Sequence, residues 1–176
     1  MAEWLTHVFL AYALFTVVGW SVDWLDAKWV AVGIVGSILP DLDRLDLVVS
    51  EELITAATGV PFEWSGINSL GGVVVLSAIG ALLFEHGKNQ RRAFVLLFSG
   101  SLSHLVVDLP QRYADGLMLT NTYLFPLPPW RPPTPGWYVS ADQWVVVVAL
   151  VVALVVFGID RYRPADTRPA VAERAD

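Results

Sequence analysis

The sequence predicts an all-α protein, a polytopic membrane helix bundle of about five spanning or partly spanning helices. Three observations carry that expectation. Of 176 residues, 55% are hydrophobic and only 16% charged, against about 25% charged in an ordinary soluble domain. Five uncharged apolar runs approach the ~20 residues that cross a bilayer as a helix. Tryptophans gather at the ends of those runs, where an interfacial aromatic belt belongs.

The first run, Trp4 to Trp20, has no Lys or Arg before it and no small-residue cleavage site after it, so it reads as a span rather than a secretory signal. Trp29 to Leu39 stops at Pro40 and has 11 residues. It must recruit residues from Val22 onward, lean on neighbours or re-enter. Gly66 to Phe84 is the third run and Ala93 to Leu109 the fourth. Trp144 to Ile159, nearly all Val, Ala and Leu, is the last. Val favours strands in water, but an unpaired strand in lipid leaves its backbone polar groups unsatisfied, so a helix is expected.

Suppose all five runs cross with the N-terminus outside. The inner side then holds Lys28, Lys88, Arg91, Arg92, Arg161, Arg163, Arg168 and Arg174, and the outer side Arg44, Arg112 and Arg131. That bias places the C-terminus in the cytoplasm and the protein in the cell membrane as a multi-pass protein. Residues 40–65 then form an acidic outer loop. Residues 110–142 form another, stiffened by six prolines between Pro126 and Pro135, with Trp130 and Trp137 resting on the interface. Residues 1–160 are expected to be the membrane domain, and 161–176 a polar, disordered cytoplasmic tail.

Composition also excludes. There is no cysteine, so disulfides, thiolate metal sites and Cys nucleophiles are ruled out. A net charge of −6 argues against a nucleic-acid partner held through its phosphates. The sequence has no P-loop, dinucleotide fingerprint or H-E-x-x-H motif, and Gly100-Ser101-Leu102-Ser103-His104 is not a nucleophile elbow. The partner that remains is the lipid bilayer.

Ionisable groups within apolar runs are costly and therefore informative, about 2.5–3.5 kcal/mol each at bilayer centre on insertion scales. His104 and Asp108 stand four apart, on one helical face. Pro40-Asp41-Leu42-Asp43 puts two carboxylates at a turn. His7 lies near the start of the first run, and Glu63 and Asn68 bracket the start of the third. Under the five-span topology all seven reach the outer membrane face, whereas His86 falls on the other side. If the second run does not cross, His7 is separated from the rest. Mixed N/O donors of this kind suit Zn²⁺, Mn²⁺ or Fe²⁺. Blander readings exist for each member: a helix-holding His104–Asp108 pair, a solvated Asp41/Asp43 turn, an interfacial His7, and Glu63 and Asn68 as caps of the third helix. Asp46, Glu51 and Glu52 read as a solvated face.

Thr6-His7, Pro40-Asp41-Leu42-Asp43 and Ser103-His104-Leu105-Val106-Val107-Asp108, in that order, resemble the membrane-bound metal-dependent hydrolases of bacteria and archaea. This is the YdjM-like or DUF457 family, described as LexA-binding inner-membrane proteins. Gly116 and Leu124-Phe125-Pro126 look like counterparts of its later blocks, and the resemblance covers roughly residues 5–160. In an H-R-x-x-T-H-S-like block before the third helix, Glu63 and Asn68 occupy the histidine positions here. The resemblance implies one or two divalent metals, Zn or Mn foremost. His7, Asp41, Asp43, His104, Asp108 and Asn68 would be ligands, and Glu63 a general base or further ligand. It also implies an ester or phosphoester substrate, and a site at headgroup level favours a lipid or lipid-linked one. Replacement of the two histidines keeps open a non-catalytic membrane protein whose polar residues brace the bundle or bind a partner. A transporter is a weaker alternative, since five short spans leave little room for an inverted repeat.

Overall fold

Each helix starts and stops where local chemistry dictates. The computed structural model describes residues 2–112, 124–127, 136–139 and 142–163, and it is predominantly helical. Helix α1 spans Ala2–Gly19. Helix α2 spans Ala27–Ile38 and is capped by the Asp26 carboxylate, which accepts from the amides of Lys28 and Trp29. Pro40 does not end the helical path as expected. It sits in the first turn of a 3₁₀ segment, Leu39–Leu47, where its missing N–H costs nothing. The Ser50 hydroxyl then caps α3, Glu51–Thr58, which closes on Gly59 at φ +70°.

The region expected to be an acidic loop is therefore largely helical. After a short 3₁₀ turn, Trp64–Gly66, helix α4 runs from Leu70 to Ala81. Its cap is the Ser69 hydroxyl, which accepts from the Gly72 amide, so neither Glu63 nor Asn68 serves that purpose. Helix α5, Lys88–Asp108, begins earlier than the apolar run and takes in the basic residues Arg91 and Arg92. Helix α6 spans Gln143–Tyr162. Strands β1, Gln111–Arg112, and β2, Tyr138–Val139, pair in parallel and join the exit of α5 to the approach to α6.

Helix α5 crosses α2 and α4, and α1 packs between α2 and α6. Small residues permit the α2–α5 crossing. A Cβ on Gly100 would lie 2.2 Å from the Gly33 carbonyl oxygen, and one on Gly36 would lie 2.4 Å from the Leu97 carbonyl oxygen. Close backbone approach through small residues is how helices associate when lipid removes the hydrophobic drive. Ser101 reinforces it by donating to the Gly36 carbonyl at 2.8 Å.

Among the described residues, α6 is the one helix long and apolar enough to cross a membrane by length and composition. The stretch Trp4–Gly19 and α4 are apolar but shorter. With 12 residues each, α2 and α4 reach about 18 Å, well short of the ~30 Å hydrocarbon core. Only Ala149, Ala153 and Val156 of α6 are buried, and its remaining Val and Leu side chains are mostly exposed, a far larger apolar surface than water tolerates.

At one end of the bundle, Trp20 donates its indole N–H to Asp160 at 3.0 Å, joining α1 to α6, and Arg163 lies over its ring. Nearby Arg92 lies over Trp24 and, farther off, Trp29. The opposite end carries the exposed rings of Trp4, Trp137 and Trp144. Trp130, Gly116, most of the proline-rich stretch and the tail beyond Arg163 lie outside the described residues.

Candidate metal centre

The cluster forms where the first turns of α1, the 3₁₀ segment after α2 and the last turns of α5 meet. The Gly33/Gly36/Gly100 crossing brings α2 against α5, which delivers Asp41 to the C-terminal half of α5. Antiparallel packing of α1 on α2 brings His7 to the same level. His7, Asp41 and His104 are all buried, and one ligand atom from each lies within 4.8 Å of the others. Together they form a group able to share a metal ion.

The two imidazoles stack, with centroids 3.6 Å apart and planes at 18°. Asp108 spans both: its Oδ1 is 3.3 Å from His7 Nε2 and its Oδ2 is 3.2 Å from His104 Nε2. The i, i+4 spacing of His104 and Asp108 thus does place them on one face, and that face meets α1. His104 Nδ1 donates to the Ser37 carbonyl at 2.8 Å and lies 3.7 Å from Asp41 Oδ2. On the outer side, Arg44 Nε is 3.6 Å from Asp41 Oδ1, and its guanidinium sits 6.0 Å from the Trp4 ring.

Two atoms of this cluster are left over. His7 Nδ1 and Asp41 Oδ2 are buried without a hydrogen-bond partner among the described residues. An unsatisfied buried polar atom costs about 1–3 kcal/mol, and such a group in a native structure calls for an explanation, an ion being one. Imidazole nitrogens and a carboxylate oxygen are the donor set of a Zn²⁺- or Mn²⁺-type site, so the residues present fit a divalent cation. Burial pushes the Asp41 carboxyl above its ordinary value, against the pull of His104, His7 and Arg44. A cation beside it would remove that burden.

The other expected members divide. Asn68 hydrogen-bonds the Asp43 carboxylate, and its own Oδ1 is a further buried atom without a partner among the described residues. Burial raises the Asp43 carboxyl, and the neighbouring Asp41 charge adds to the effect. Asp43 and Asn68 thus form an acidic annex beside the three-residue group. Glu63 is exposed at the 3₁₀ turn before α4. His86 is exposed, in the turn before α5. Glu51, read as part of a solvated face, instead accepts from the Trp64 amide at 2.8 Å.

Two participants escaped the sequence reading. The Ser37 carbonyl is a backbone atom with no side-chain signature. Arg44 was visible next to Asp43, but nothing in the chain order said that it would turn back onto Asp41. Of the later blocks, Phe125 offers its carbonyl to the Gly71 amide at 2.7 Å, fastening that segment to the start of α4.

Searches of curated proteins and of solved structures returned no match to this chain. A family model covers nearly all of it: matched over residues 1–173, the chain belongs to the YdjM inner membrane protein family, and is a membrane protein.

Proposed function

We propose that this protein is a multi-pass, membrane-bound, metal-dependent hydrolase acting on an ester or phosphoester at the membrane surface. The carrying observation is the pair of buried, unpartnered atoms, His7 Nδ1 and Asp41 Oδ2, within a group that also includes His104. His7, Asp41 and His104 would hold a divalent cation, Zn²⁺ or Mn²⁺. Asp108 reaches both Nε2 atoms: at His7 it has the position of the carboxylate that orients a metal-binding histidine, with Nδ1 left to ligate, whereas at His104, whose Nδ1 is given to Ser37, Nε2 would be the ligating nitrogen and Asp108 a ligand beside it. Asp43 and Asn68 would extend the donor set with oxygen atoms, and Glu63 would be the general base. When bound, the ion supplies Lewis acidity toward a carbonyl or phosphoryl oxygen and makes water more acidic.

The chain's own residues do the rest. The Ser37 carbonyl fixes the His104 ring through Nδ1, Asp108 fixes the His7 ring through Nε2, and burial of both imidazoles keeps bulk water away from the ligand atoms. Arg44, partly exposed beside Asp41, offers a charged donor to an anionic group at the rim. The exposed tryptophans at this end favour a level near the lipid headgroups and hence a lipid or lipid-linked substrate, and the Lys/Arg bias of the sequence favours the N-terminus outside and the C-terminus cytoplasmic. Five helices, α1, α2, α4, α5 and α6, would cross wholly or in part.

Metal analysis of detergent-purified wild type beside Asp41→Ala tests this reading. About one equivalent of zinc or manganese in the wild type, lost in the variant, is expected; equal and negligible metal in both overturns it. A non-catalytic membrane protein is the second reading, favoured by the exposure of Glu63 and by Asn68 standing at a family histidine position. Replacing His104 and Asp108 together separates the two: lost metal with an intact fold supports the hydrolase, and collapse of a bundle that never held metal supports the alternative.

A further inference from the structure

Helix α3 turns an apolar stripe outward. Leu53, Ala56 and Ala57 follow the i, i+3, i+4 spacing of one helical stripe, Val60 comes just past the Gly59 cap, and all four are exposed. The inward side carries Glu51, Ile54 and Thr55, all half-buried. Glu51 accepts from the Trp64 amide, and the Thr55 hydroxyl accepts from the Phe62 amide at 3.1 Å. Just before α3, Leu47 and Val48 are 83% and 81% exposed.

We propose that residues 45–60 are an interfacial anchor, seated through this stripe and through Leu47 and Val48 in the headgroup–acyl boundary of a phospholipid bilayer. Eight residues reach about 12 Å, too short to span, so the helix lies along the surface, as amphipathic interfacial helices do. The patch continues an apolar belt at the same end of the bundle. Arg44, the residue before the segment, lies over exposed Trp4 of α1, and Trp64 ties the segment down by donating its indole N–H to the Val49 carbonyl at 2.8 Å. Membership of an inner membrane family supplies the bilayer. The flanking acids Asp46 and Glu52 point to a zwitterionic surface rather than an anionic one. The inference stands whether or not the neighbouring His–Asp cluster holds a metal.

The cysteine-free sequence makes the test direct. Single variants Leu47→Cys, Leu53→Cys, Val60→Cys and Glu52→Cys would be labelled with an environment-sensitive fluorophore and reconstituted into phosphatidylcholine nanodiscs carrying a lipid spin label near the headgroup. Quenching by the lipid label several-fold stronger at 47, 53 and 60 than at 52, with iodide quenching in the reverse order, is the expected result. Labels at 47, 53 and 60 as open to iodide as the one at 52 would overturn it. So would labels shielded from both quenchers only in discs loaded with two copies, which would assign the patch to a second copy of the chain. Three apolar positions keep the result readable if one variant fails to fold.

Discussion

Replacing Gly100 by Ala probes how the bundle builds the centre. The new Cβ would lie 2.2 Å from the Gly33 carbonyl oxygen and 2.8 Å from the Ser37 nitrogen. Ordinary contact begins near 3.4 Å, so α2 and α5 would have to separate by about 1.2 Å at this point. Overpacking of this kind costs about 1–3 kcal/mol. The Ser37 carbonyl sits 2.8 Å from His104 Nδ1, and half the separation along that line would stretch the bond to about 3.4 Å, beyond useful geometry. Gly100→Ala should therefore lower both stability and metal uptake, although it touches no proposed ligand. Gly158→Ala is the control, because a Cβ there meets nothing within 4 Å and a helical Gly-to-Ala change gains about 0.5–1 kcal/mol. In thermal melts of detergent-solubilised protein, Gly100→Ala should fall by roughly 2–12 °C, taking about 2–4 °C per kcal/mol for a chain of this size. Zinc uptake, measured in the same preparations, should weaken. An unchanged melt and unchanged uptake would refute the argument that close backbone approach at Gly100 sets the His104 position.

Two further outcomes follow from the packing of charged and aromatic side chains. Burial and the adjacent Asp41 raise the Asp43 carboxyl above its unfolded value, so its contribution to stability is present at low pH and lost as pH rises through its folded value. In EDTA at pH 7, Asp43→Asn should thus melt higher than wild type, with the gap closing toward pH 4; a gap independent of pH would contradict this. Trp20→Phe removes the indole donor to Asp160 that joins α1 to α6, and should cost about 1 kcal/mol. Chemical unfolding of the Trp20→Phe variant beside wild type measures it, and equal stability would refute the pairing.

Much of the architecture is a one-dimensional property, and the sequence by itself determined it. Run length and the lack of charge located α1, α5 and α6, because in lipid a helix is the only way for such a segment to satisfy its own backbone. The spacing of His104 and Asp108 put them on one face, and Pro40-Asp41-Leu42-Asp43 marked a carboxylate turn that proved to be 3₁₀ helix. What the chain order could not supply is rotation and depth. Whether His7 stacks on His104, which ring nitrogen meets Asp108 and which is left over depend on how far α2 and α5 approach at Gly33, Gly36 and Gly100. Helix α3 was missed for a related reason: its 8 residues are too short and too acidic at the start to stand out as a periodic segment. Only the fold reveals that its apolar stripe faces away from the protein. Glu63 and Asn68, five positions apart in the sequence, separate in space because a 3₁₀ turn leaves one at the surface and carries the other to Asp43. Hydrophobic run length is written along the chain, whereas the meeting of a nitrogen and an oxygen depends on packing between helices, and only the tertiary structure decides that.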